Sequence, residues 1–276
     1  MMPINVLLLG ESDVGKSHFG GQLLGRLSQE LGVFKMIGSP PSLAAFEGVL
    51  HALNEGRAAK HTAQDQYLES RWPITDLAGR RLELVWPDYG GEQIRLIREQ
   101  RRMAPEWRRR VTETDAWILM VRIHRSETSD DIFSRPIAKL IDMPIANADF
   151  AMSPQARFVE FIQWMMYVRG TGTLRPVAHP RLLVLLSCWD ELPDSQIDML
   201  PAAVLAERMP LVAAFLKANW TVDALHILGL SALERALSED SVDEDYVDQG
   251  PEAFGYVIAA DGKRSSDLTL ALLPLA

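Results

Sequence analysis

The chain has 276 residues, of which 47% are hydrophobic and 24% are charged, and it contains a single cysteine, Cys188. This composition is typical of a globular protein with an ordinary core, and one cysteine excludes an internal disulfide and a cysteine-rich zinc site. The net charge of −9 disfavours non-specific binding to nucleic acid or anionic lipid. The apolar runs 4–9 and 268–275 are too short for a signal peptide or a membrane span, so we predict a cytoplasmic protein without a membrane span.

Short apolar runs alternate with helical patterns along the chain. Residues 4–9 form a nearly continuous apolar run, which predicts a strand buried on both faces, and a helix is predicted from 16 to about 30. The further predicted elements, in chain order, are a helix over 42–54, strands over 71–75 and 81–87 joined by a hairpin turn, a basic helix over 90–110, a strand over 116–123, a helix over 153–169, a strand over 181–186, a helix over 201–218, a strand over 226–230 and an edge strand over 254–260. This alternation predicts an α/β fold of three layers, α/β/α, whose sheet is mostly parallel with one antiparallel hairpin strand.

The domain organisation follows from the segments that interrupt this alternation. We predict a single domain over 1–276, with insertions at about 35–60 and 124–152 and a C-terminal extension at about 236–276. The acidic stretch 238–248 within the extension is predicted to be a solvated loop.

The first motif lies between the first predicted strand and helix. Gly10-Glu11-Ser12-Asp13-Val14-Gly15-Lys16-Ser17 matches the pattern G-x-x-x-x-G-K-[ST], whose glycines let backbone N–H groups wrap closely round phosphates. Lys16 would reach the β- and γ-phosphates, and the Ser17 hydroxyl would ligate Mg²⁺. A chance match would require the flanking strand and helix to be accidental as well. The motif therefore predicts a bound nucleoside triphosphate with Mg²⁺, contacted by Gly10, Ser12, Asp13, Val14, Gly15, Lys16 and Ser17.

A second motif, Asp88-Tyr89-Gly90-Gly91-Glu92, follows the predicted strand 81–87. Asp88 is placed at a strand end to hold Mg²⁺ through water, and the Gly91 N–H, three residues on, is able to bond the γ-phosphate. Read alone, the segment is also an ordinary turn. Its position after a complete P-loop and a strand favours the phosphate-sensing interpretation.

A third motif, Ser187-Cys188-Trp189-Asp190, follows the predicted strand 181–186. The Asp190 carboxylate is able to accept hydrogen bonds from guanine N1–H and the 2-amino group, which adenine does not offer. The structural alternative is that Asp190 is a helix N-cap. After the strand 226–230, the backbone N–H groups of Ser231 and Ala232 would face guanine O6.

In this order the motifs resemble those of the Ras-like P-loop GTPases, the class related to translation factors, and most of all the bacterial double-GTPase group, whose genes tend to lie beside a second GTPase. Gly10–Ser17 looks like the P-loop, Asp88–Gly91 like the switch II motif, Ser187–Asp190 like the base motif and Ser231–Ala232 like the last guanine loop. The resemblance covers most of residues 4–235. It implies the P-loop NTPase fold, binding of GTP and GDP with Mg²⁺, and hydrolysis of GTP.

The sequence departs from this class at two places. The base motif of the class is Asn/Thr-Lys-x-Asp, but Ser187 and Cys188 replace its first two residues, so the lysine stem that packs on the base is missing. Trp189 either stacks in its place or packs in the core. Glu92 stands where a glutamine often orients the attacking water, and a carboxylate there repels the γ-phosphate unless it is protonated or turned away.

The resemblance also implies which residues act in catalysis. Lys16, Thr62, Gly91 and Glu92 are predicted to be catalytic, and Ser17, Thr62 and Asp88 are predicted to be the magnesium ligands. Thr62 is chosen as the switch I threonine because it lies in the polar loop 60–65, whereas Thr75 lies in a predicted strand. The alternative is that Thr62 is an ordinary loop threonine.

Arginines cluster on the predicted basic helix of this acidic protein. They are Arg95, Arg98, Arg101, Arg102, Arg108, Arg109 and Arg110. The segment 93–110 is either a solvated helix face or a docking surface for an acidic partner. We expect a protein partner at this helix and the switch regions, with a second GTPase as one candidate, and no nucleic acid. Two alternatives to a hydrolysing switch stay open: a nucleotide-binding module without hydrolysis, and an ATP-using P-loop enzyme.

Overall fold

The computed structural model describes residues 3–38, 43–59, 68–88, 97, 100–125, 153–171 and 174–276. The strands are β1 (Ile4–Leu9), β2 (Phe34–Met36), β3 (Leu68–Asp76), β4 (Arg81–Asp88), β5 (Ala116–Arg122), β6 (Arg181–Ser187), β7 (Leu225–Ser231), β8 (Tyr256–Ile258) and β9 (Arg264–Ser265). The helices are α1 (Lys16–Ser28), α2 (Ala44–Asn54), α3 (Pro105–Glu113), α4 (Pro154–Arg169), α5 (Asp194–Ile197), α6 (Pro201–Arg208), α7 (Pro210–Asn219) and α8 (Glu244–Gln249), and a 3-10 helix spans Leu268–Leu275.

The described strands form one nine-stranded sheet in the order β2-β3-β4-β1-β5-β6-β7-β8-β9. The five central strands β4, β1, β5, β6 and β7 are parallel, as the α/β prediction requires. The predicted hairpin strand β3 is antiparallel to β4. A second antiparallel strand, β8, pairs with β7 at the other side of the sheet.

Helices cover both faces of the sheet, which gives the predicted three layers. On one face, Val6 and Leu8 of β1 join the core beneath α1, α2 and the C-terminal 3-10 helix. On the other face, Leu7 and Leu9 join the core beneath α3, α4, α6 and α7. The continuous apolar run of β1 is therefore explained by burial on both faces.

The position of β1 determines where a ligand can bind. β1 lies between β4 and β5. The next three strands in the chain, β2, β3 and β4, lie on one side of β1, and the later strands, β5 to β9, lie on its other side. In open parallel sheets, ligands bind beyond the carboxyl ends of the strands at such a point of reversal. We call the edge of the sheet at the carboxyl ends of β1, β4, β5, β6 and β7 the loop edge.

Helix α1 packs closely on α2 because it carries glycines at the contact. A Cβ atom added to Gly20 would lie 2.3 Å from Phe46 Cε1, and one added to Gly21 would lie 2.6 Å from Val49 Cγ1. The Phe46 ring contacts Trp72 and Trp86 edge-on, with ring centroids 4.9 and 5.2 Å apart. The aromatic cluster thus ties α2 to β3 and β4 beside the helix that begins at the P-loop.

Two of the predicted helices are wrong in extent because each contains a proline. The helix predicted over 90–110 does not continue to 110: Arg101 has φ of +49°, residues 102–104 are not helical, and α3 begins at Pro105. The helix predicted over 201–218 is two helices, α6 and α7, which meet at Met209 before Pro210. Proline lacks an N–H and restricts the residue before it, so it starts a helix more readily than it continues one.

The C-terminal region is more ordered than the sequence indicated. The acidic stretch 238–248 was predicted to be a loop, but it contains the first part of α8, which Asp243 caps by accepting a hydrogen bond from the Tyr246 N–H. The predicted edge strand is β8, and β9 lies outside it. The buried 3-10 helix Leu268–Leu275 and the three-residue strand β2 were not predicted.

Among the described residues, no helix is long and apolar enough to cross a membrane.

Candidate functional site

The P-loop turns tightly between β1 and α1. A Cβ atom on Gly10 would lie 2.8 Å from Val14 Cγ2 and 3.2 Å from the Met120 carbonyl oxygen, so no side chain fits there. Gly15 precedes α1 with φ of +81°, a left-handed conformation that favours glycine. Asp13 is also left-handed, with φ of +61°. The result is a loop wound closely over the N-terminus of α1, where backbone N–H groups are free of intrahelical partners and attract anions.

Lys16 lies across this loop. Its Nζ donates hydrogen bonds to the Gly10 carbonyl at 2.9 Å and to the Glu11 carbonyl at 2.5 Å. Phosphate oxygens carry full negative charge, so they are stronger acceptors for an ammonium group than these carbonyls. The structure therefore holds the Lys16 charge at the mouth of the loop that would receive phosphates.

Two of the three predicted magnesium ligands lie at the loop edge. Ser17 is in the first turn of α1, and Asp88 is the last residue of β4, the strand paired with β1. Mg²⁺ prefers oxygen ligands and commonly binds through one or two protein groups together with phosphates and water, and serine and aspartate are residue types that supply such oxygens. Thr62, Gly91 and Glu92 lie outside the described residues.

Asp190 and Ser231 meet where β6 and β7 end. The Ser231 Oγ donates a hydrogen bond to Asp190 Oδ1 at 2.5 Å, and it accepts one from the Glu234 N–H at 2.9 Å. The short 3-10 helix that contains Asp190 has Cys188 as its N-cap, so the helix-capping alternative for Asp190 is wrong. The third motif and the loop that contains Ser231 and Ala232, which were predicted separately, thus lie together at the loop edge. The carbonyl group of Ala232 lies close to Gly255.

Trp189 packs in the core. Its side chain is fully buried, and its Nε1 donates a hydrogen bond to the Ile197 carbonyl at 3.0 Å. A Cβ atom on Gly229 would lie 2.6 Å from Trp189 Cε3, so the indole fills the space over β7. This position excludes the stacking role that the sequence left open for Trp189.

Arg122, at the end of β5, is a charged residue of this edge that the sequence motifs missed. Its Nη1 donates to the Asp13 carbonyl at 3.2 Å, its Nε donates to Glu191 Oε2 at 3.0 Å, and its Nη2 donates to Glu191 Oε1. The Nδ1 of His124 lies 2.5 Å from Glu191 Oε2. The hydrogen bond with Glu191 raises the pKa of Arg122 above its usual value, so the cation is kept. The signal in the sequence that could have identified Arg122 is a charged residue at the end of an otherwise apolar strand.

The C-terminal segment supports the loop after β7. The Tyr246 hydroxyl donates a hydrogen bond to the Leu233 carbonyl, and the Tyr246 ring stacks on Phe254 with centroids 4.0 Å apart. A Cβ atom on Gly255 would lie 2.6 Å from the Ala232 carbonyl oxygen. Burial, together with the nearby Asp190 charge, raises the pKa of Tyr256 to about 12. The residues after 236 therefore fix the backbone of the loop that holds Ser231.

The same segment contacts the chain just before the predicted switch I. The Ala58 N–H donates to the Ser238 carbonyl, and the Asp243 N–H donates to the Gly56 carbonyl, both at 2.9 Å. The Ala59 N–H donates to Nε2 of His18 at 3.1 Å. His18 follows Ser17 in α1, so the last described residue before Thr62 is tied to the helix of the P-loop.

The arginine cluster is only partly exposed. Arg101, Arg102, Arg108 and Arg109 are exposed, but Arg110 is buried, so the expected surface of seven arginines is wrong at this residue. Trp107 is buried in the core next to α4. Arg95 and Arg98 lie outside the described residues.

Comparisons with known proteins place this chain in a family. The model of the Double-GTPase 1 family matches residues 7–275. Among solved structures, similar chains include the Arl6 BBS3 small GTPase of Trypanosoma brucei, with 13% identity, a TM-score of 0.43 and coverage of 91% of this chain and 99% of that one. A bacterial selenocysteine-specific elongation factor, EF-Sec, has 13% identity and a TM-score of 0.38; the match covers 84% of this chain but only 26% of the factor.

A third similar structure is the GTPase-like domain of Ski7 from S. cerevisiae, with 13% identity, a TM-score of 0.39 and coverage of 84% of this chain and 43% of that one. No curated protein matches the sequence significantly. Because the family model matches nearly the whole chain, the protein belongs to the Double-GTPase 1 family and is a GTP-binding protein.

Proposed function

We propose that this protein is a Mg²⁺-dependent GTPase that acts as a conformational switch with a protein partner. The observation that carries the proposal is the hydrogen bond between Ser231 and Asp190 at the same edge as the P-loop. It holds one carboxylate oxygen and leaves the other to accept from the base. A site built to accept two guanine N–H donors rejects adenine strongly, because its own polar groups would be left unpaired.

The phosphates would bind at the loop before α1. The N-terminus of α1 and the P-loop N–H groups supply positive potential, and Lys16 would exchange its two carbonyl partners for phosphate oxygens. The Ser17 hydroxyl, the Asp88 carboxylate and the Thr62 hydroxyl would be the ligands that hold Mg²⁺. A bound Mg²⁺ supplies charge that offsets the negative charge of the β- and γ-phosphates.

Hydrolysis would use two residues of the second motif. The Gly91 N–H would stabilise charge on the γ-phosphate oxygens, and Glu92 would orient the attacking water or accept its proton. These roles come from the positions of Gly91 and Glu92 in the second motif. Single-turnover hydrolysis of Glu92→Ala and Glu92→Gln, both saturated with Mg²⁺, tests them: loss of a positioned base should slow hydrolysis on the order of 100-fold. Equal rates in both variants and the wild type would remove Glu92 from the mechanism.

The partner is proposed from charge. Arg102, Arg108 and Arg109 are exposed in an acidic protein, just after the second motif, which makes this surface attractive to an acidic partner. A second GTPase is one candidate, and the cytoplasm stays our prediction for its location. Phosphate release measured over many turnovers, with and without the candidate, tests whether hydrolysis depends on it.

A second candidate is a binding module that holds the nucleotide without hydrolysing it. It is favoured by Glu92, whose charge would repel the γ-phosphate, and by the replaced base motif at Ser187 and Cys188. Calorimetry with GTP, GDP, ATP and ADP in the presence of Mg²⁺ tests base selection and γ-phosphate sensing together. Equal affinities for GTP and ATP would overturn guanine recognition, and tight GTP binding without phosphate release would favour the module.

A further inference from the structure

The start of the third motif leaves the base side of the site without a cation. Ser187 is buried, and its Oγ has no hydrogen-bond partner among the residues that the structure describes. Cys188 has a left-handed backbone, with φ of +54°, and its thiol carries no positive charge at neutral pH. Any positively charged side chain between the P-loop and Asp190 would therefore come from another part of the chain.

Arg122 occupies this position. It is the last residue of β5, the strand between β1 and β6, and its Cα is paired with that of Ser187. Its guanidinium contacts the P-loop through the Asp13 carbonyl and contacts the third motif through Glu191, the residue after Asp190. One side chain thus connects the loop that would hold phosphates to the loop that would hold the base.

Glu191 fixes the orientation of the Arg122 guanidinium. Two nitrogens of its guanidinium bind the two oxygens of Glu191, an arrangement that sets the orientation of the plane as well as its position. The side chain is 21% exposed, so it lies at the surface of the loop edge and not in the core. An arginine held in this way keeps a flat cationic face, which stacks well on an aromatic ring.

We propose that Arg122, held by Glu191, is a positioning residue for the nucleoside: it locks the P-loop to the base loop and forms one wall of the nucleoside pocket. Arg122 would supply the positive charge that Ser187 and Cys188 of the third motif do not supply. This inference rests on the proposed function, because it presumes a guanine nucleotide between the two loops.

Loss of Arg122 and loss of Asp190 should have different effects on nucleotide binding. Asp190 would read the hydrogen-bonding edge of the base, so its loss changes the preference among bases. Arg122 would contact a face that purines share and would restrain the two loops. Its loss should therefore accelerate release of every purine nucleotide by a similar factor.

The test is the dissociation rate of fluorescently labelled GDP, with unlabelled GDP and IDP as competitors. We expect Arg122→Met, which keeps the stem without the charge, to release GDP about tenfold faster with an unchanged ratio of GDP to IDP affinity. Arg122→Lys should restore part of the loss, and Glu191→Gln should give an intermediate rate. Asp190→Ala should lower the ratio instead, because IDP lacks the 2-amino group.

The matched control is Arg80→Met. Arg80 forms an ion pair with Asp76 in the hairpin between β3 and β4, at the edge of the sheet opposite the loop edge. If Arg122→Met lowers the unfolding midpoint as Arg80→Met does but leaves GDP release unchanged, Arg122 is structural only and the inference is overturned. Should Arg122→Met not fold, unchanged release from Arg122→Lys and Glu191→Gln overturns it as well. Failure of the wild type to bind GDP would overturn the proposed function itself, a different result from wild-type binding with unaffected variants.

Discussion

The hydroxyl of Ser231 donates a hydrogen bond to the carboxylate of Asp190 across the ends of two adjacent parallel strands. The strand register that pairs Ser187 with Leu230 brings the two loops together. The Ser231 hydroxyl is in turn held by the Glu234 N–H, so the carboxylate is oriented before any base arrives. An oriented acceptor loses less conformational entropy on binding than a free one.

Asp190→Asn should exchange guanine for xanthine preference. The amide cannot accept both guanine N–H groups, but it matches the N1–H donor and C2 carbonyl of xanthine. Loss of hydrogen bonds to a charged acceptor costs about 1.5–3 kcal/mol, so GTP should bind roughly 10- to 100-fold more weakly. The ratio of GTP to XTP affinity, measured by calorimetry on folded protein, checks this. An unchanged ratio would remove Asp190 from base recognition.

Ser231→Ala should weaken guanine binding without changing which base is preferred. It removes one hydrogen bond that orients Asp190, and the net value of such a bond is about 1 kcal/mol. We expect GTP affinity to fall about fivefold, with GTP still bound better than XTP. A reversal of that preference would contradict an orienting role for Ser231.

Lys16→Ala should remove most of the affinity for triphosphate. A charged donor to phosphate contributes at least about 2 kcal/mol, so GTP binding should weaken roughly 30-fold or more. Lys35→Ala is the control, since the Lys35 side chain is only partly buried, at 43% exposure, and Glu30 is its partner in the ion pair described. Calorimetry gives both affinities, and circular dichroism shows whether each variant is folded. Near-native GTP affinity in folded Lys16→Ala would contradict the P-loop interpretation.

Gly20→Ala and Gly48→Ala should change stability in opposite directions. A methyl group at Gly20 would lie 2.3 Å from the Phe46 ring, and displacing a packed ring costs about 1–3 kcal/mol. Gly48 lies on the exposed side of α2 with no atom within 4 Å of an added Cβ, so alanine there should stabilise the helix by about 0.5–1 kcal/mol. Urea unfolding measures both. Equal stability of the two variants would mean that α2 does not pack on α1 as described.

The central sheet and the P-loop were predictable because their signals are local. The run 4–9 is apolar on both faces, and the strand that it forms has these same bounds. The glycines of the P-loop point to a tight turn in any context. Asp190 could be placed because a residue that follows a buried parallel strand has to emerge at the loop edge.

What the sequence hid depends on contacts between distant segments. Strand β2 has three residues and exists because it pairs with β3. The polar strand β9 pairs with β8, and no apolar pattern marks it. The ion pair of Arg122 with Glu191 joins residues far apart in the chain, so no motif contains it. The breaks at Pro105 and Pro210 are local signals inside segments predicted to be single helices, and the cap at Asp243 is a local signal inside a stretch predicted to be a loop because it is acidic.

His226 should make the protein less stable in mild acid. This residue of β7 is partly buried, and burial lowers its pKa below the ordinary value of about 6.5, as does the Arg181 charge, while Asp223 acts in the opposite direction. At pH values between the lowered pKa of His226 in the folded protein and about 6.5, its pKa in the unfolded chain, the unfolded chain binds more protons than the folded chain. Stability is therefore complete above about pH 6.5 and is lost as the pH falls through this interval, by at most about 1.4 kcal/mol per pH unit.

The variant His226→Gln cannot take up this proton, so its stability should fall less steeply than that of the wild type between pH 7.5 and 5. Other groups also titrate in acid, and only the difference between the two slopes reports on His226. The control is His51→Gln, at an exposed position on α2. Urea unfolding at several pH values measures the slopes. If His226→Gln and the wild type lose stability in parallel, His226 is not the group responsible, and a steeper slope in the variant would reverse the sign assigned to its burial.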